Sequence, residues 1–343
     1  MIKKSSVAAI IIFLSGLLAA CGSGANGSNN SSESQDAAAE GNQQIQTTII
    51  GGRTGGAWSV FTEGIAESIR KKNENALVTV EPGGIVENPS AVGTAKIPYG
   101  ISYSMTAYAA YMGEEPYDKK FEDIRAVSVV IPANYYQFLA LADTPYDSID
   151  EIIENEAPVR LALDQKGSAG EIITRNILQS YGVTYEDIIS WGGSIDHLGG
   201  SKTFELMADN RIDATGDAVS VPSGDILEAS TAMDLKMLSL NQETIETVSE
   251  KLGMEAGIIK AGSYSFLDTD IDTVSTPAIL MVHKDISEEE VYQVTKSIYE
   301  SFDYLGTVHE EFKNLTAENF ADAGKVPLHP GAEKFYKEMG LIE

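Results

Sequence analysis

The sequence predicts an α/β protein built as two lobes with largely parallel sheets. Two observations carry this expectation. Short apolar runs alternate with stretches of helical periodicity, and one unit of strand, small-residue turn and amphipathic helix occurs twice, as TTIIGGRTGGAWSVFTEGIAESI and VRLALDQKGSAGEIITRNIL. Each unit opens one half of the chain, so the two turns are expected to face each other across a cleft.

The chain begins outside this pattern. Residues 1–20 hold Lys3 and Lys4, an apolar run too short to span a bilayer comfortably, and then small residues, which is the layout of a secretory signal peptide. Its end, Leu18-Ala19-Ala20-Cys21, resembles the lipobox of bacterial lipoproteins, in which the cysteine is diacylated and becomes the new N-terminus. Cys21 is the only cysteine of the chain, so no disulfide framework is available and its position favours lipidation. Residues 22–46 are mostly Gly, Ser, Asn, Ala and Gln, with three acidic residues and a single branched apolar residue, too little to offset chain entropy. The expected plan is a signal peptide over 1–20 and a lipidated cysteine with a flexible linker over 21–46, spanning about 25–30 Å. It ties the rest to the outer face of the cell membrane, in the periplasm where the host has an outer membrane.

The elements then follow in order. Strands are expected at 47–50, 77–80, 99–102, 126–131, 138–142, 159–163, 212–214, 237–240 and 278–283. Between them, Val60, Phe61, Ile65 and Ile69 share one helix face, as do Ile172, Ile173, Ile177, Leu178 and Tyr181, and later Val291, Tyr292, Thr295, Ile298, Tyr299 and Phe302. Ser148, Ser168 and Ser287 each precede a glutamate by three residues, a pattern that starts helices. In parallel α/β sheets ligands sit beyond the carboxyl ends of the strands, and free N–H groups at helix starts favour carboxylates. The formal net charge of −27 repels nucleic acid and anionic lipid, so neither is an expected partner.

The lipoprotein leader, the GGRTGGAWS turn, VEPGGIVENPSAVGTAKIPYGISYS, DQKGSAGEIITRNIL, DNRIDATGDAVSVPSGDI, TPAILMVHKDISEEEVYQVTKSIYES and VPLHPGAEKFYKEMGL occur in this order. Together they resemble the TAXI family of solute-binding subunits of tripartite ATP-independent periplasmic (TRAP) transporters. The resemblance implies a type II periplasmic-binding-protein fold, two α/β lobes joined by hinge strands with a ligand cleft between them. Lobe 1 would take 47–137, lobe 2 138–262, and 263–343 would return to lobe 1 with C-terminal helices. It also implies capture of a small carboxylate, either a glutamate-like amino acid or a dicarboxylate, and its delivery to membrane permease subunits. One residue departs from the family's first turn, commonly a plain Gly-Thr-Gly-Gly sort of sequence: here Arg53 stands inside it.

The first turn offers Arg53, Thr54, Gly55, Gly56, Trp58 and Ser59 as ligand contacts. Arg53 is either a solvated surface residue or a fork for a carboxylate, and Trp58 either borders the cleft or packs in the core. The loops after the next two strands add Gly84, Asn88, Ser102 and Ser104, which also suit ordinary turn and cap roles. Lobe 2 offers Gly167 and Ser168 in its opening turn, then Asp217 and Ser220 after the 212–214 strand. Ser168 reads as a cap alone or as a cap that also touches ligand. An inward Asp217 suits an ammonium group, whereas more often such an aspartate caps a turn.

Chemistry is not expected. The four histidines are scattered without metal-ligand spacing, and neither a Gly-x-Ser-x-Gly elbow nor a phosphate-binding Walker motif occurs. Ser68-Ile69-Arg70-Lys71 matches Ser-x-x-Lys only by letter and is expected at the surface. No metal and no cofactor is expected. The alternative to a binding protein is a secreted bilobal enzyme acting on a small anionic substrate.

Overall fold

The computed structural model describes residues 44–343. The segment expected as a signal peptide, Cys21 and most of the expected linker lie outside the described residues. Ile45 is buried and Gln46 opens the first strand, so the tether ends before the expected residue 46.

The first half runs β1 (Gln46–Ile50), α1 (Ala57–Lys72), β2 (Leu77–Glu81), α2 (Glu87–Gly93), β3 (Tyr99–Tyr103) and α3 (Ser104–Met112). A long β4 (Ile124–Leu141) follows. The second half holds α4 (Ile149–Glu154), β5 (Arg160–Leu163), α5 (Ala169–Ser180), α6 (Tyr185–Ser190), β6 (Ser194–His197) and α7 (Ser201–Ala208). It continues with β7 (Ala214–Val219), α8 (Gly224–Ala232), β8 (Leu235–Leu238), α9 (Gln242–Leu252) and β9 (Glu255–Ile259). The chain returns along β10 (Ile271–His283) to α10 (Glu288–Tyr299), α11 (Phe302–Val308), a 3-10 turn (Glu310–Asn314), α12 (Ala317–Phe320) and α13 (Pro330–Met339).

The strands run in the order β2-β1-β3-β10-β4-β7-β5-β6, with β8 on β4 and β9 on β10. The βαβ runs give parallel pairs at both ends, β1 with β2 and β3, and β5 with β6 and β7. β4 and β10 lie antiparallel between them and pass from one lobe to the other. The first part of β4 pairs with the last part of β10, while residues 135–140 turn to β7. Their crossing falls at Asn134 and Thr276, beside Pro132 and Pro277, where the register shifts. A proline gives no N–H to a ladder, so both strands are loosened where the lobes join.

Several expectations change. The strands expected at 126–131 and 138–142 are one continuous β4. β7 starts where the 212–214 strand was to end, so Asp217 lies inside a strand and not after it. β6, with sequence SIDH, and β9 were not expected at all. Val60 is 40% exposed although it was assigned to the apolar face of α1. Ser68, expected at the surface, is buried and its hydroxyl donates to the Gly64 carbonyl at 2.9 Å.

Ser148, Ser168 and Ser287 each accept the N–H three residues on, which starts α4, α5 and α10. One apolar core runs through both lobes, and two smaller clusters lie apart from it, one around Leu139, Ile226, Ile259 and Tyr264 and one around Ala162, Leu206, Ile212 and Leu235. α10 to α13 close over lobe 1, where Tyr336 donates to the Val127 carbonyl at 2.6 Å. Among the described residues no helix is long and apolar enough to cross a membrane.

Candidate functional site

The two matching units end their strands in the same way. In the first, Gly56 N–H donates to the Arg53 carbonyl at 3.1 Å, and in the second Ser168 N–H donates to the Gln165 carbonyl at 2.9 Å. The third residue of each turn is a glycine of positive φ, Gly55 at 85° and Gly167 at 82°, a conformation that costs a residue with a Cβ. Gly56 and Ser168 then stand as the N-caps of α1 and α5. Ser168 caps its helix through its hydroxyl, whereas no side chain caps α1 and its first turn carries no acid. The start of α1 therefore offers N–H groups at the positive end of a sixteen-residue helix.

These turns meet. Arg53 Nη2 donates to Gln165 Oε1 at 3.2 Å, with both side chains exposed. Thr54, Gly55 and Gly56 are exposed beside Arg53, and the Ser59 hydroxyl turns back to the Gly56 carbonyl at 2.7 Å. Trp58 is half-buried and stands edge-on to Tyr103, with ring centroids 4.8 Å apart. Tyr103 closes a second bridge by donating to the Ala218 carbonyl of β7 at 3.3 Å. Burial, reinforced by the charges of Asp217, Glu311 and Asp164, drives the phenol far above its ordinary value, so it stays a donor. A third tie joins Arg175 of α5, which Glu171 of the same helix also holds at 3.1 Å, to Glu115 at 2.5 Å.

Other expected residues hold the loops together. Asn88 is fully buried: Nδ2 donates to the Gly51 carbonyl at 2.9 Å and the Ile101 carbonyl at 2.8 Å, and Oδ1 accepts from Gly84 N–H at 3.0 Å. Ser102 and Ser104 are equally buried and donate to the Ile85 and Ala323 carbonyls, at 2.6 and 2.7 Å. Their polar atoms are spent on backbone groups of neighbouring loops.

On lobe 2, Asp217 inside β7 lies one position past the Leu163–Gly216 pair and so beside Asp164, the residue that follows β5. Burial pushes the Asp217 carboxyl up to about 7, with Asp164 adding repulsion and the Ala218 N–H opposing the shift. Ser220 follows at the strand end, where the Gln137 amide donates to its carbonyl at 3.3 Å. Glu311 belongs to the 3-10 turn, and burial raises its carboxyl while His309 and the Ser220 side chain favour its charged form. Next to Asp217 lies a cavity of 40 Å³ lined by Asp164, Thr215, Asp217, Asp225, Leu139 and Phe204 among others. Among the described residues no group of His, Cys, Asp and Glu has the geometry to hold a metal ion.

Sequence reasoning passed over Tyr103, Asp164, Gln165, Thr215, Asp225 and Glu311. Tyr103 and Gln165 lay within quoted motifs, and Asp164 directly follows the apolar β5, so strand-end position was the available signal. Glu311 had none, because only the returning C-terminal segment brings it here.

The chain matches the NMT1-like family over residues 49–340 and belongs to that family. Its fold is similar to that of a TctC solute binding protein from Polaromonas, with 17% identity, 87% of this chain and 94% of that chain covered, and a TM-score of 0.50. It is also similar to MatC from Rhodopseudomonas palustris with bound malate, at 12% identity over 86% of this chain and 97% of the other, with a TM-score of 0.50. At these identities the likeness is one of fold, the two-lobed α/β architecture of periplasmic binding proteins.

Proposed function

We propose that this member of the NMT1-like family is an extracytoplasmic solute-binding protein that closes its two lobes over a small carboxylate and releases it unaltered. The reading extends to a TAXI-type subunit of a TRAP transporter, anchored through Cys21 and handing solute to the membrane permease. Lobe 1 over 47–137, lobe 2 over 138–262 and the return over 263–343 belong to the same proposal.

One observation carries it: the two equivalent turns meet across the cleft, Arg53 to Gln165. A solute carboxylate that takes the place of the Gln165 amide oxygen on Arg53 gains a charged acceptor for a bidentate donor. The uncapped start of α1 adds N–H groups of the right polarity. Arg53, Thr54, Gly55, Gly56 and Ser59 then form the first wall with Trp58 beside them, while Gly167, Ser168, Asp217 and Ser220 form the second. Asn88, Gly84, Ser102 and Ser104 act one layer back, by holding the loops.

The test combines mass spectrometry of whatever co-purifies with the protein and calorimetry with glutamate, malate and 2-oxoglutarate. Stoichiometric binding and recovery of the compound unchanged are expected. Turnover of a bound compound would replace this reading with an enzyme.

A further inference from the structure

The solute-facing turn of lobe 2 is held from behind by its own helix. Glu171, in the first turn of α5, reaches back so that its Oε2 accepts the Gly167 N–H at 3.1 Å. Its Oε1 accepts from the Tyr185 hydroxyl at 3.0 Å and from Arg175 Nε at 3.1 Å. With its side chain only 6% exposed, this carboxylate depends on those partners, and Arg175 is the cation among them. The matching place in α1 is taken by Ser59, whose hydroxyl returns to the Gly56 carbonyl instead.

Arg175 has a second task. Its Nη1 meets Glu115, in the loop after α3, at 2.5 Å across the boundary between the lobes. Burial works against the guanidinium charge, yet Glu171 and then Glu115 more than offset it and raise its value above the ordinary one. The Glu115 backbone is fixed on both sides: Glu114 N–H donates to the Ala109 carbonyl of α3 at 2.9 Å, and Tyr117 N–H donates to the Glu114 carbonyl at 2.8 Å. The Tyr117 hydroxyl then donates to the Val86 carbonyl at 2.9 Å, and a Cβ built on Gly167 would stand 3.9 Å from Val86 Cγ2. Lobe 1 thus meets the turn twice, at Gly167 itself and at the arginine that steadies its anchor.

The donors of a guanidinium lie in one plane, so fixing Nη1 also sets the direction of Nε. While Glu115 holds Nη1, Arg175 keeps its Nε on Glu171, Glu171 keeps its Oε2 on Gly167, and the turn that carries Gln165 and Ser168 is fixed. When the lobes part, this chain of contacts loses its first member and Val86 leaves Gly167. We infer that Glu115, Arg175 and Glu171 form a relay by which docking of lobe 1 shapes the solute-facing turn of lobe 2, with Arg175 as the positioning residue. Both walls of the site then take their binding form in one step. The bearing on solute rests on the solute-binding reading above.

The test reads amide exchange at Gly167 in the purified full chain at fixed pH, with no solute added. Glu115 has 79% of its side chain exposed, so Glu115→Gln leaves the packing of α5 alone. It should still speed exchange at Gly167 about two- to fivefold, the scale of an ion pair with one exposed partner, while Ile173 and Leu178 exchange as in wild type. Raising salt from about 20 to about 500 mM should act on wild type in the same direction and hardly on Glu115→Gln. Arg175→Gln should speed exchange at least as much, and Glu115→Gln added to that variant should change nothing further. A Gly167 rate unmoved by Glu115→Gln, or moved equally with and without Arg175, would overturn the relay. A second arm follows release of whichever of glutamate, malate and 2-oxoglutarate binds. Glu115→Gln should speed release about two- to fivefold and leave association unchanged. Unchanged release beside faster Gly167 exchange would overturn the relay's part in solute binding. Absence of binding by all three would sink the carboxylate reading, and Gly167 exchange would still decide the relay.

Discussion

Arg53 and Gln165 hold the same position in two matching turns, one in each lobe, and their side chains join at 3.2 Å. The bond is exposed and has a neutral acceptor, so a ligand carboxylate can displace it at little cost. Arg53→Ala should therefore weaken solute binding by roughly 1.5–3 kcal/mol, the range for hydrogen bonds to charged groups. Arg53→Lys should recover part of that, because an ammonium lacks the planar fork. Calorimetry giving wild-type affinity for Arg53→Ala would leave carboxylate recognition to the helix-start N–H groups.

Tyr103 is the buried counterpart of this bridge. Tyr103→Phe removes the donor to Ala218 and keeps the ring against Trp58. The closed form should lose roughly 0.5–1.5 kcal/mol, seen as weaker solute affinity and a larger radius by small-angle scattering. An unchanged radius and affinity would show that the bridge does not hold the lobes.

Trp58 touches the residue that spans the lobes, whereas Trp191 caps the end of α6 within lobe 2. Lobe movement should therefore change the fluorescence of Trp58. Trp58→Phe should remove most of a saturable ligand-dependent signal, and Trp191→Phe should keep it. The opposite pattern would move the ligand away from the first turn.

Asp217 ties stability to pH. Its folded value of about 7 stands above the ordinary carboxylate value of 3.8, so its contribution is fully present below 3.8 and is lost as pH rises to about 7. Asp217→Asn should melt higher than wild type in ligand-free protein above pH 7, by roughly 1–3 kcal/mol. The gap should close as pH falls from 7 towards 4. A gap that does not vary with pH would mean that Asp217 is not the titrating group.

Cys21→Ala removes the only acylation candidate. The variant should appear in the soluble fraction or accumulate unprocessed. Fractionation with membranes in the wild-type manner would refute the lipid anchor.

Local pattern was enough for the alternating α/β class, the two opening units and the three serine caps, because each depends on residues within a few positions of one another. Position after a strand end was readable for Arg53 and Ser168, while Asp217 was placed after a strand that in fact contains it. The apolar alternation that marks β7 was hidden by Gly216 and Asp217, and β6 is too polar to announce itself, so both were misjudged. Asn88, Ser102 and Ser104 carry polar side chains that suit a ligand or a carbonyl equally well. Only the packed loops assign them to Gly51, Ile85 and Ala323. The partnership of Arg53 with Gln165, 112 residues away, and of Tyr103 with Ala218, 115 away, has no local signal at all. Those pairs form only once β4 and β10 carry the chain between the lobes, and the raised value of Asp217 comes from its burial beside Asp164.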